Sequence, residues 1–325
     1  ETLLEAGLRA GLALPYECRN GGCGVCRCTV LNGRVDHGLF QPGTLTADMR
    51  GRGETLMCCA TPLEDVEIDV PVASLGAVAG GAARQWQARV ERMERLGTHV
   101  MRVWLSLADN ERIRFAAGQY LNIVLEDGQR RAFSFANPPH DNSLIELHIR
   151  RIPGGRFTSH VFTSMRVGDT LEIEAPLGGF TLHAGDKPIL LVAGATGFAP
   201  IKSIVEDAFA RGVQRPMQLY WGVSHPQDLY LADTVKRWQS AHANFRFIPV
   251  LSEPANAPDW SGRTGLVHQA MLQDHPDLAG FEVYLCGSVK MVDSALPEIM
   301  AHGLGPNACF TDAFHPAAAT SLPAA

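Results

Sequence analysis

Four cysteines with unequal spacing are the strongest chemical signal in the sequence. Cys18, Cys23 and Cys26 follow one another with four and then two intervening residues, and Cys58 stands about thirty residues further along. Four thiolates with this spacing can hold the two tetrahedral irons of a 2Fe-2S cluster. Glycines between positions 21 and 24 let the loop wrap the metal and direct backbone N–H groups toward it. The pattern predicts a 2Fe-2S cluster on these four cysteines.

Zinc and disulfide bonds are the alternatives for such a group of cysteines. Structural zinc is usually bound through two short paired spacings, which differ from this run. Disulfides would suit an exported protein, yet eight cysteines in 325 residues are too sparse for a disulfide scaffold. No stretch reads as a secretory signal. Iron is therefore favoured over both alternatives.

The composition is that of an ordinary globular protein, with 46% hydrophobic and 19% charged residues and a net charge of −6. A nucleic-acid binder would show a basic face, so we expect no nucleic-acid partner. The longest apolar stretches, 72–83 and 189–201, are too short or too glycine-rich for a membrane helix, so we expect no membrane contact and a cytoplasmic location. The length allows two or three domains, and no internal repeat is visible.

The first 72 residues must position the cysteines. Apolar residues of helical period predict a helix at the start, and strands are predicted over 27–31 and 66–70. The runs Leu14-Pro15-Tyr16-x-Cys18 and Leu56-Met57-Cys58-Cys59-Ala60-Thr61-Pro62 resemble a plant-type ferredoxin domain of the β-grasp fold. That family opens with a β-hairpin before the first helix, so the start of this sequence reads as truncated.

Cys58 and Cys59 are adjacent, and only one of them can be the fourth ligand without distorting the backbone. The resemblance to ferredoxins selects Cys58. Cys59 and Cys28 are then expected to pack as small buried hydrophobic residues near the cluster, as free cysteines commonly do.

A second module follows a linker. Residues 73–84 are small and glycine-rich, which is a linker composition. From 85 to 184 the pattern changes to short strands separated by Gly, Asn and Pro, with strands predicted over 100–107, 120–125, 144–150 and 170–174. This spacing predicts a small antiparallel barrel.

Two short motifs in the barrel resemble the flavin signature of the ferredoxin-reductase superfamily, Arg-x-Tyr-Ser followed by Gly-x-x-Ser. They are Arg131-Ala-Phe133-Ser134 and Gly155-Arg156-Phe-Thr158. The resemblance implies that Phe133 stacks on FAD, that Ser134 lies near flavin N5, and that the remaining motif residues hold the pyrophosphate: Arg131, Gly155, Arg156 and Thr158. Phenylalanine in place of tyrosine removes a hydroxyl contact to the ribityl chain but keeps the stacking. The run from His148 to Thr158 resembles the same reductases and adds His148 and Arg150 as cofactor contacts. Taken alone, an aromatic residue followed by serine in a strand is usually core packing.

From 185 to 325 strands alternate with helices, which predicts a parallel sheet covered by helices on both faces. Ligands bind such sheets at the carboxyl ends of the strands. The turn Gly194-x-Thr196-Gly197-x-x-Pro200 places backbone amides at a helix start, where phosphate can bind. A generic strand-to-helix turn is the alternative. In the superfamily this turn is the pyrophosphate loop for the pyridine nucleotide.

Two further motifs carry redox roles by the same resemblance. Cys286-Gly287 resembles the Cys-Gly that meets the nicotinamide ring, the alternative being a buried cysteine that ends a strand. Asp312-x-Phe314 resembles the acidic-x-aromatic ending of the family. The resemblance implies that Ser134, Cys286 and Asp312 surround flavin N5 as the catalytic residues. It also implies that Phe314 covers the flavin ring until nicotinamide displaces it.

The choice of nicotinamide cofactor depends on cations for the 2′-phosphate of NADPH. Residues 221–231 contain no Lys or Arg, and Asp228 would repel a phosphate. NADH is therefore expected.

The order ferredoxin, flavin barrel and nucleotide domain resembles the reductases of multicomponent aromatic-ring oxygenases and the related CDP-6-deoxy-glucoseen reductases. The expected fold is multidomain α+β and α/β: a β-grasp 2Fe-2S domain (1–72), a linker (73–84), an antiparallel FAD-binding barrel (85–184) and a parallel α/β NAD-binding domain (185–325). The implied function is electron transfer from NADH through FAD and the cluster to a terminal oxygenase or another electron-accepting protein. The oxygenase is preferred, the deoxysugar reductase stays open, and a redox sensor without turnover is the third alternative. A monomer is expected.

Overall fold

The computed structural model describes residues 1–10, 12, 14–16, 21, 24–38, 40, 44–70, 83–305 and 307–314. Two of the predicted cluster ligands, Cys18 and Cys23, lie outside these residues, as does most of the predicted linker. The secondary structure forms three modules in chain order.

In its described residues, the first module combines two helices with a three-stranded and a two-stranded sheet. Its elements are α1 (Leu3–Arg9), β1 (Arg27–Asn32), β2 (Val35–Asp36), α2 (Ala47–Gly51), β3 (Glu54–Leu56), β4 (Thr61–Pro62) and β5 (Glu67–Asp69). The three-stranded sheet has the order β3-β1-β5, and β2 pairs with β4. A capping box formed by Thr2 and Glu5 starts α1, whose residues Leu3 and Leu4 enter the core beside Cys26.

The second module is a six-stranded antiparallel sheet with one helix. Its elements are β6 (Arg84–Leu96), β7 (Val100–Leu107), β8 (Tyr120–Val124), β9 (Arg130–Ser134), β10 (Ile145–Arg150), α3 (Arg156–Thr163) and β11 (Thr170–Leu177). The strand order is β10-β7-β6-β11-β8-β9. β6 begins at Arg84, the last residue of the predicted linker, and all four strands predicted in this region are present within a few residues of their expected ends.

The third module is a six-stranded parallel sheet. Its elements are β12 (Ile189–Gly194), α4 (Phe198–Ala210), β13 (Met217–Val223), α5 (Ala232–Ala241), β14 (Phe245–Leu251), β15 (Arg263–Thr264), α6 (Val267–Asp274), β16 (Glu282–Ser288), α7 (Val289–Ala301) and β17 (Cys309–Phe314). The order is β15-β14-β13-β12-β16-β17. Alternate residues of β12 face separate cores: Leu191 and Ala193 pack on one side and Leu190 and Val192 on the other. Helices therefore cover both faces, and the predicted fold class is confirmed.

The three modules contact one another. Glu5 of α1 lies 3.3 Å from the guanidinium of Arg130 on β9. Lys202 and Ser203 of α4 bond to the carbonyl oxygens of Ala136 and Asn137, which follow β9. In the described part of the chain, no helix has the length and apolar character needed to cross a bilayer.

Candidate redox sites

Two predicted cluster ligands, Cys26 and Cys58, lie in the described residues, and the small sheet joins the backbone of Cys26 to the residue before Cys58. Residues Arg27 and Leu56 are paired across β1 and β3, and the amide of Met57 donates to the carbonyl of Cys26 at 2.9 Å. Cys26 itself makes this backbone contact, and Cys58 is one residue beyond it. This arrangement suits two thiolates that serve one cluster.

The loop conformation agrees with the sequence reasoning about its glycines. Gly21 and Gly24 have φ values of +73° and +77°, which favour glycine. A Cβ on Gly24 would come within 3.2 Å of both Arg27 and Thr44. The backbone here depends on residues without a side chain, which fits a loop wrapped closely around a metal centre.

The other described cysteines of this module resemble the predicted ligands in burial, since Cys28 is buried like Cys26 and Cys59 is partly buried like Cys58. Cys28 is buried, and burial raises its pKa to about 12, so its thiol stays protonated. A protonated, buried thiol is expected of a core residue. The Sγ atoms of Cys58 and Cys59 are 3.5 Å apart, so the choice between them as fourth ligand stays a prediction.

Two predicted flavin cations lie around one carboxylate. Nη2 of Arg156 lies 2.6 Å from Oδ2 of Asp127. The pKa of Asp127 is lowered first by the amide of Gln129 and then by the charges of Arg156 and Arg131. Arg131 bonds instead to the side chain of Gln129 and the carbonyl of Arg130, so its positive charge adds to that of Arg156 near the start of α3 without pairing with the acid. Its N-cap, Gly155, offers no side-chain oxygen to the first amides of the helix. A pyrophosphate fits this charge and these donors.

Other predicted flavin residues have different environments. Phe133 is partly exposed, and its ring centroid lies 5.7 Å from that of buried Phe157. The hydroxyl of Thr158 accepts from the amide of Ile152 at 3.1 Å and so closes the loop ahead of α3. Arg150 is exposed at the end of β10. A direct contact between the Thr158 hydroxyl and the pyrophosphate, as predicted, would therefore compete with the hydrogen bond that this hydroxyl makes within its own loop.

His148 is buried, and both ring nitrogens have partners within the protein. Nε2 lies 2.8 Å from Oε1 of Glu146, and Nδ1 lies 3.0 Å from the hydroxyl of Tyr230. A cofactor contact through either ring nitrogen would need one of these bonds to break.

Residues Cys286 and Asp312 meet at the carboxyl end of the parallel sheet. They are directly paired across β16 and β17, and Sγ lies 3.7 Å from Oδ2. Burial raises the pKa of Cys286 well above its ordinary value. It also raises the pKa of Asp312 to about 6, which the bond from Cys286 partly opposes. The pair therefore combines a neutral thiol with a carboxyl that exchanges a proton just below neutral pH.

The glycine loop packs directly on this pair. A short 3-10 turn, Ala195–Gly197, joins β12 to α4. A Cβ on Gly197 would overlap the carbonyl of Cys286, and one on Gly194 would overlap Sδ of Met291 while lying 3.7 Å from Cα of Gly287. Only glycine allows this approach, so the predicted pyrophosphate loop and the predicted nicotinamide contact form one site. Thr196 lies in the turn, and Pro200 lies in the first turn of α4.

The two remaining predicted residues lie at the edges of this site. Ser134 is buried at the end of β9, opposite Tyr120, and Ala136 two residues later bonds to Lys202 of α4. The flavin strand therefore reaches the interface with the nucleotide domain. Phe314 ends β17 opposite Ser288 and packs on the core of the parallel sheet.

Family models and solved structures match the three modules. A 2Fe-2S iron-sulfur cluster binding domain matches residues 1–63, an oxidoreductase FAD-binding domain 87–182, and an oxidoreductase NAD-binding domain 191–296. The crystal structure of the reductase GcoB from Amycolatopsis superposes with a TM-score of 0.87 at 37% identity, covering 98% of this chain and 95% of that one. The ferredoxin reductase in carbazole 1,9a-dioxygenase gives 0.80 at 27% identity, covering 97% and 93%.

Curated relatives are similar over nearly their whole length. The CDP-6-deoxy-L-threo-D-glycero-4-hexulose-3-dehydrase reductase of Yersinia pestis is 35% identical, covering 97% of this chain and 93% of the relative. Reductase component 1 of terephthalate 1,2-dioxygenase from Comamonas sp. is 36% identical, covering 90% and 86%. This chain belongs to the iron-sulfur flavoprotein reductases.

Membership of the iron-sulfur flavoprotein reductases makes the chain an electron-transfer oxidoreductase with 2Fe-2S, FAD and NAD as its cofactors. The described residues fit these groups. The positive-φ glycines beside Cys26 fit the cluster, the two arginine side chains near Asp127 fit FAD, and the glycine loop on Cys286 fits NAD. The cofactors and the recognition of the family from sequence are confirmed.

Sequence reasoning missed a buried group of charged residues between the barrel and the nucleotide domain. Glu146 interacts with Arg102, His148 and Lys202 at 2.9, 2.8 and 3.4 Å. The strand Ile145–Arg150 alternates apolar and polar residues, which predicts a solvent-facing Glu146 and His148, so the sequence carries little signal beyond Lys202 beside the apolar start of α4. Polar residues at buried positions indicate partners across an interface.

Proposed function

We propose that this chain accepts hydride from NADH at FAD and delivers single electrons through its 2Fe-2S cluster to a terminal oxygenase. The observation that carries the proposal is the packing of the glycine loop on Cys286–Gly287 beside Asp312, in a chain that also holds a flavin barrel and a cluster domain. When bound, FAD accepts two electrons together and releases them one at a time.

The nucleotide site is formed by the ends of β12, β16 and β17. Backbone amides of the turn that contains Gly194, Thr196 and Gly197 hold the pyrophosphate, and Pro200 fixes the first turn of α4 behind them. Cys286 and Gly287, which are both buried beneath the glycine loop, are the residues we propose to border the nicotinamide ring. Asp312, with its pKa of about 6, holds or releases a proton near Cys286.

The flavin site is formed by β9 and the start of α3. Arg131 and Arg156 bind the pyrophosphate, Phe133 supplies a stacking surface, and Ser134 faces the interface where the nucleotide domain begins. Phe314, which packs on the core of the parallel sheet at the end of β17, is the residue we propose to cover the flavin.

For the cluster we propose Cys18, Cys23, Cys26 and Cys58 as ligands, within a domain of residues 1–72. The flavin domain then covers 85–184 and the nucleotide domain 185–325. The ion pair between Glu5 and Arg130 supports a path from flavin to cluster within one chain, because it docks α1 on the strand that carries Ser134.

NADH is proposed over NADPH because of the loop that follows β13. The side chain of Asp228 accepts from the amide of His225 at 3.2 Å and lies 3.4 Å from its Nδ1, so a carboxylate is fixed in this loop. A 2′-phosphate nearby would meet a negative charge. Comparing kcat/KM for the two nucleotides tests the choice, and a preference for NADPH would refute it.

The acceptor has two candidates. Relatives named as reductases of terephthalate dioxygenase and of an aromatic O-demethylase favour an oxygenase. The Yersinia relative, similar over 97% of this chain, favours a CDP-deoxyhexulose dehydrase. NADH-dependent turnover reconstituted with each purified partner decides between them, and oxygenase turnover is the outcome we predict.

Two further measurements test the rest of the proposal. Rapid NADH-dependent reduction of ferricyanide is expected, and its absence would leave the redox sensor as the better account. Light scattering after gel filtration should give the mass of one chain, 35.2 kDa plus cofactors. A value near twice that mass would contradict the proposed monomer.

A further inference from the structure

Glu146 is the centre of a buried polar group that joins the flavin barrel to the nucleotide domain. Its Oε1 accepts from Nε of Arg102 at 2.9 Å and faces Nε2 of His148 at 2.8 Å, while its Oε2 lies 3.4 Å from Nζ of Lys202. These three partners hold the pKa of Glu146 far below its usual range despite the cost of burial. The carboxylate is therefore ionised inside the interface.

One branch from Glu146 runs through α4. Lys202 is 4% exposed, and its Nζ donates to the carbonyl of Ala136 at 2.9 Å and to Glu206 at 2.8 Å. The next residue, Ser203, is fully buried and donates to the carbonyl of Asn137 at 2.8 Å. Two successive helix residues thus bind two successive carbonyls of the segment after Ser134.

The geometry of α4 links this contact to the nucleotide loop. Lys202 follows Gly197 by five residues, which in a helix is about 7 Å. A shift of the helix on the barrel would therefore move the glycine loop relative to the flavin strand by a similar amount.

A second branch from Glu146 reaches the loop on its other side. Because the carboxylate can only accept, Nε2 of His148 carries the proton, and its Nδ1 accepts from the hydroxyl of Tyr230 at 3.0 Å. Burial lowers the pKa of His148, which keeps the ring neutral. The ring of Tyr230 stands edge-on to Trp221, with centroids 5.2 Å apart, and Nε1 of Trp221 donates to the carbonyl of Ala195 at 2.9 Å.

The second branch ends at the loop that meets Cys286, and the first holds the helix that follows this loop on the barrel. Ala195 itself has a φ of +49°, a conformation that a non-glycine residue holds only when its surroundings fix it. The network is directional, since each hydrogen bond has one donor and one acceptor with a set geometry. It fixes one orientation of the two domains, which an apolar interface would define less sharply.

We propose that the Glu146 network is an orientation clamp between the two domains. Lys202 and Tyr230 are positioning residues in it: they orient the nucleotide loop relative to the flavin strand, so that nicotinamide and flavin are aligned for hydride transfer. The inference rests on the proposed function. The clamp acts on geometry: the ADP part of the nucleotide binds within one domain, whereas hydride transfer needs both domains in register. A misplacement of about 1 Å can cost on the order of a hundredfold in rate.

The test uses the full chain loaded with FAD and its cluster, in three variants. Tyr230→Phe removes one hydroxyl and keeps the ring. Lys202→Met removes the positive charge, and Lys202→Arg keeps a positive charge at the same position. Tyr220→Phe is the matched control, since its hydroxyl bonds to Asp274 on the far side of the same domain.

We expect flavin reduction by NADH, followed in a stopped-flow instrument, to slow roughly tenfold or more in Tyr230→Phe and Lys202→Met. The KM for NADH should change less than about threefold, and the isotope effect with deuterated NADH should increase because hydride transfer becomes limiting. Lys202→Arg should recover most of the rate, and Tyr220→Phe should match the wild type. Amide hydrogen exchange, measured without NADH, should accelerate together in segments 134–137 and 195–203 of the two clamp variants.

Flavin reduction within twofold of wild type in Tyr230→Phe, with unchanged exchange in both segments, would overturn the clamp, even if Lys202→Met fails to fold. Equal losses in Tyr230→Phe and Tyr220→Phe would also overturn it, because any lost buried hydroxyl would then have the same effect. A wild-type chain that does not oxidise NADH would refute the proposed function instead.

Discussion

Asp312 makes the free energy of unfolding depend on pH, and substituting this residue removes its contribution. Burial raises the pKa of this carboxyl from 3.8 to about 6. Since a tenfold change in an ionisation constant is worth about 1.4 kcal/mol, the difference between the unfolded and folded chains amounts to about 3 kcal/mol. The folded chain binds the proton more tightly. This stabilisation is complete below the unfolded pKa and is lost as the pH rises through the folded pKa.

About half of this stabilisation is lost within a pH range in which unfolding can be measured. Between pH 5 and pH 7.5 the free energy of unfolding contributed by Asp312 should fall by about 1.4 kcal/mol. Asp312→Asn abolishes the titration, so the difference in unfolding free energy between wild type and variant should change by that amount. Urea unfolding at both pH values, with a fixed excess of FAD and with tryptophan fluorescence as the probe, measures it, because Trp221 is fully buried in the same domain.

Asp293→Asn is the control, because this carboxylate is exposed on α7. Its unfolding free energy is measured at the same two pH values, so that the Asp312→Asn difference is compared with that of another Asp→Asn exchange. Parallel pH profiles for wild type and Asp312→Asn, within about 0.3 kcal/mol, would refute the reasoning that burial beside Cys286 makes this carboxyl hard to ionise.

Three other substitutions test the remaining sites. Glu5→Gln keeps a side chain that can cap α1 but removes the ion pair with Arg130. Cluster-dependent reduction of cytochrome c should therefore slow about two- to fivefold, a loss of about 1 kcal/mol at most, while ferricyanide reduction is unchanged. Equal losses in both assays would place the defect at the flavin. Gly197→Ala drives a methyl group into the carbonyl of Cys286. The rate of NADH-dependent flavin reduction should therefore fall roughly tenfold or more at normal FAD content. A wild-type rate would contradict the close packing. Cys58→Ser should lose the cluster by iron analysis while Cys59→Ser keeps it, and the reverse result would exchange their roles.

Motifs whose residues are close in sequence were readable without a structure. The cysteine spacing and the glycines beside it specify a metal loop, because ligands to one ion must lie on a short segment or return to it. The turn after β12 was also readable, and the structure shows it in close contact with Cys286–Gly287, where a Cβ on Gly194 or Gly197 would overlap its neighbours.

Contacts between distant residues could not be read in the same way. Lys202 and Glu146 are 56 positions apart, and each shares its element with other polar residues that look equally able to face solvent. His148 was predicted to contact a cofactor because its neighbours resemble a flavin motif, yet its ring bonds to Glu146 and Tyr230. A strand pattern shows that a position is buried but does not show which element covers it.

The path of electrons from NADH to the cluster is the central claim, and electron paramagnetic resonance tests it most directly. NADH is added without oxygen to the purified chain, and the sample is frozen before and after addition of the oxidised partner oxygenase. We predict that the signal of a reduced 2Fe-2S cluster appears with NADH and decays when the partner is added. A flavin that NADH reduces while the cluster stays oxidised would contradict the account.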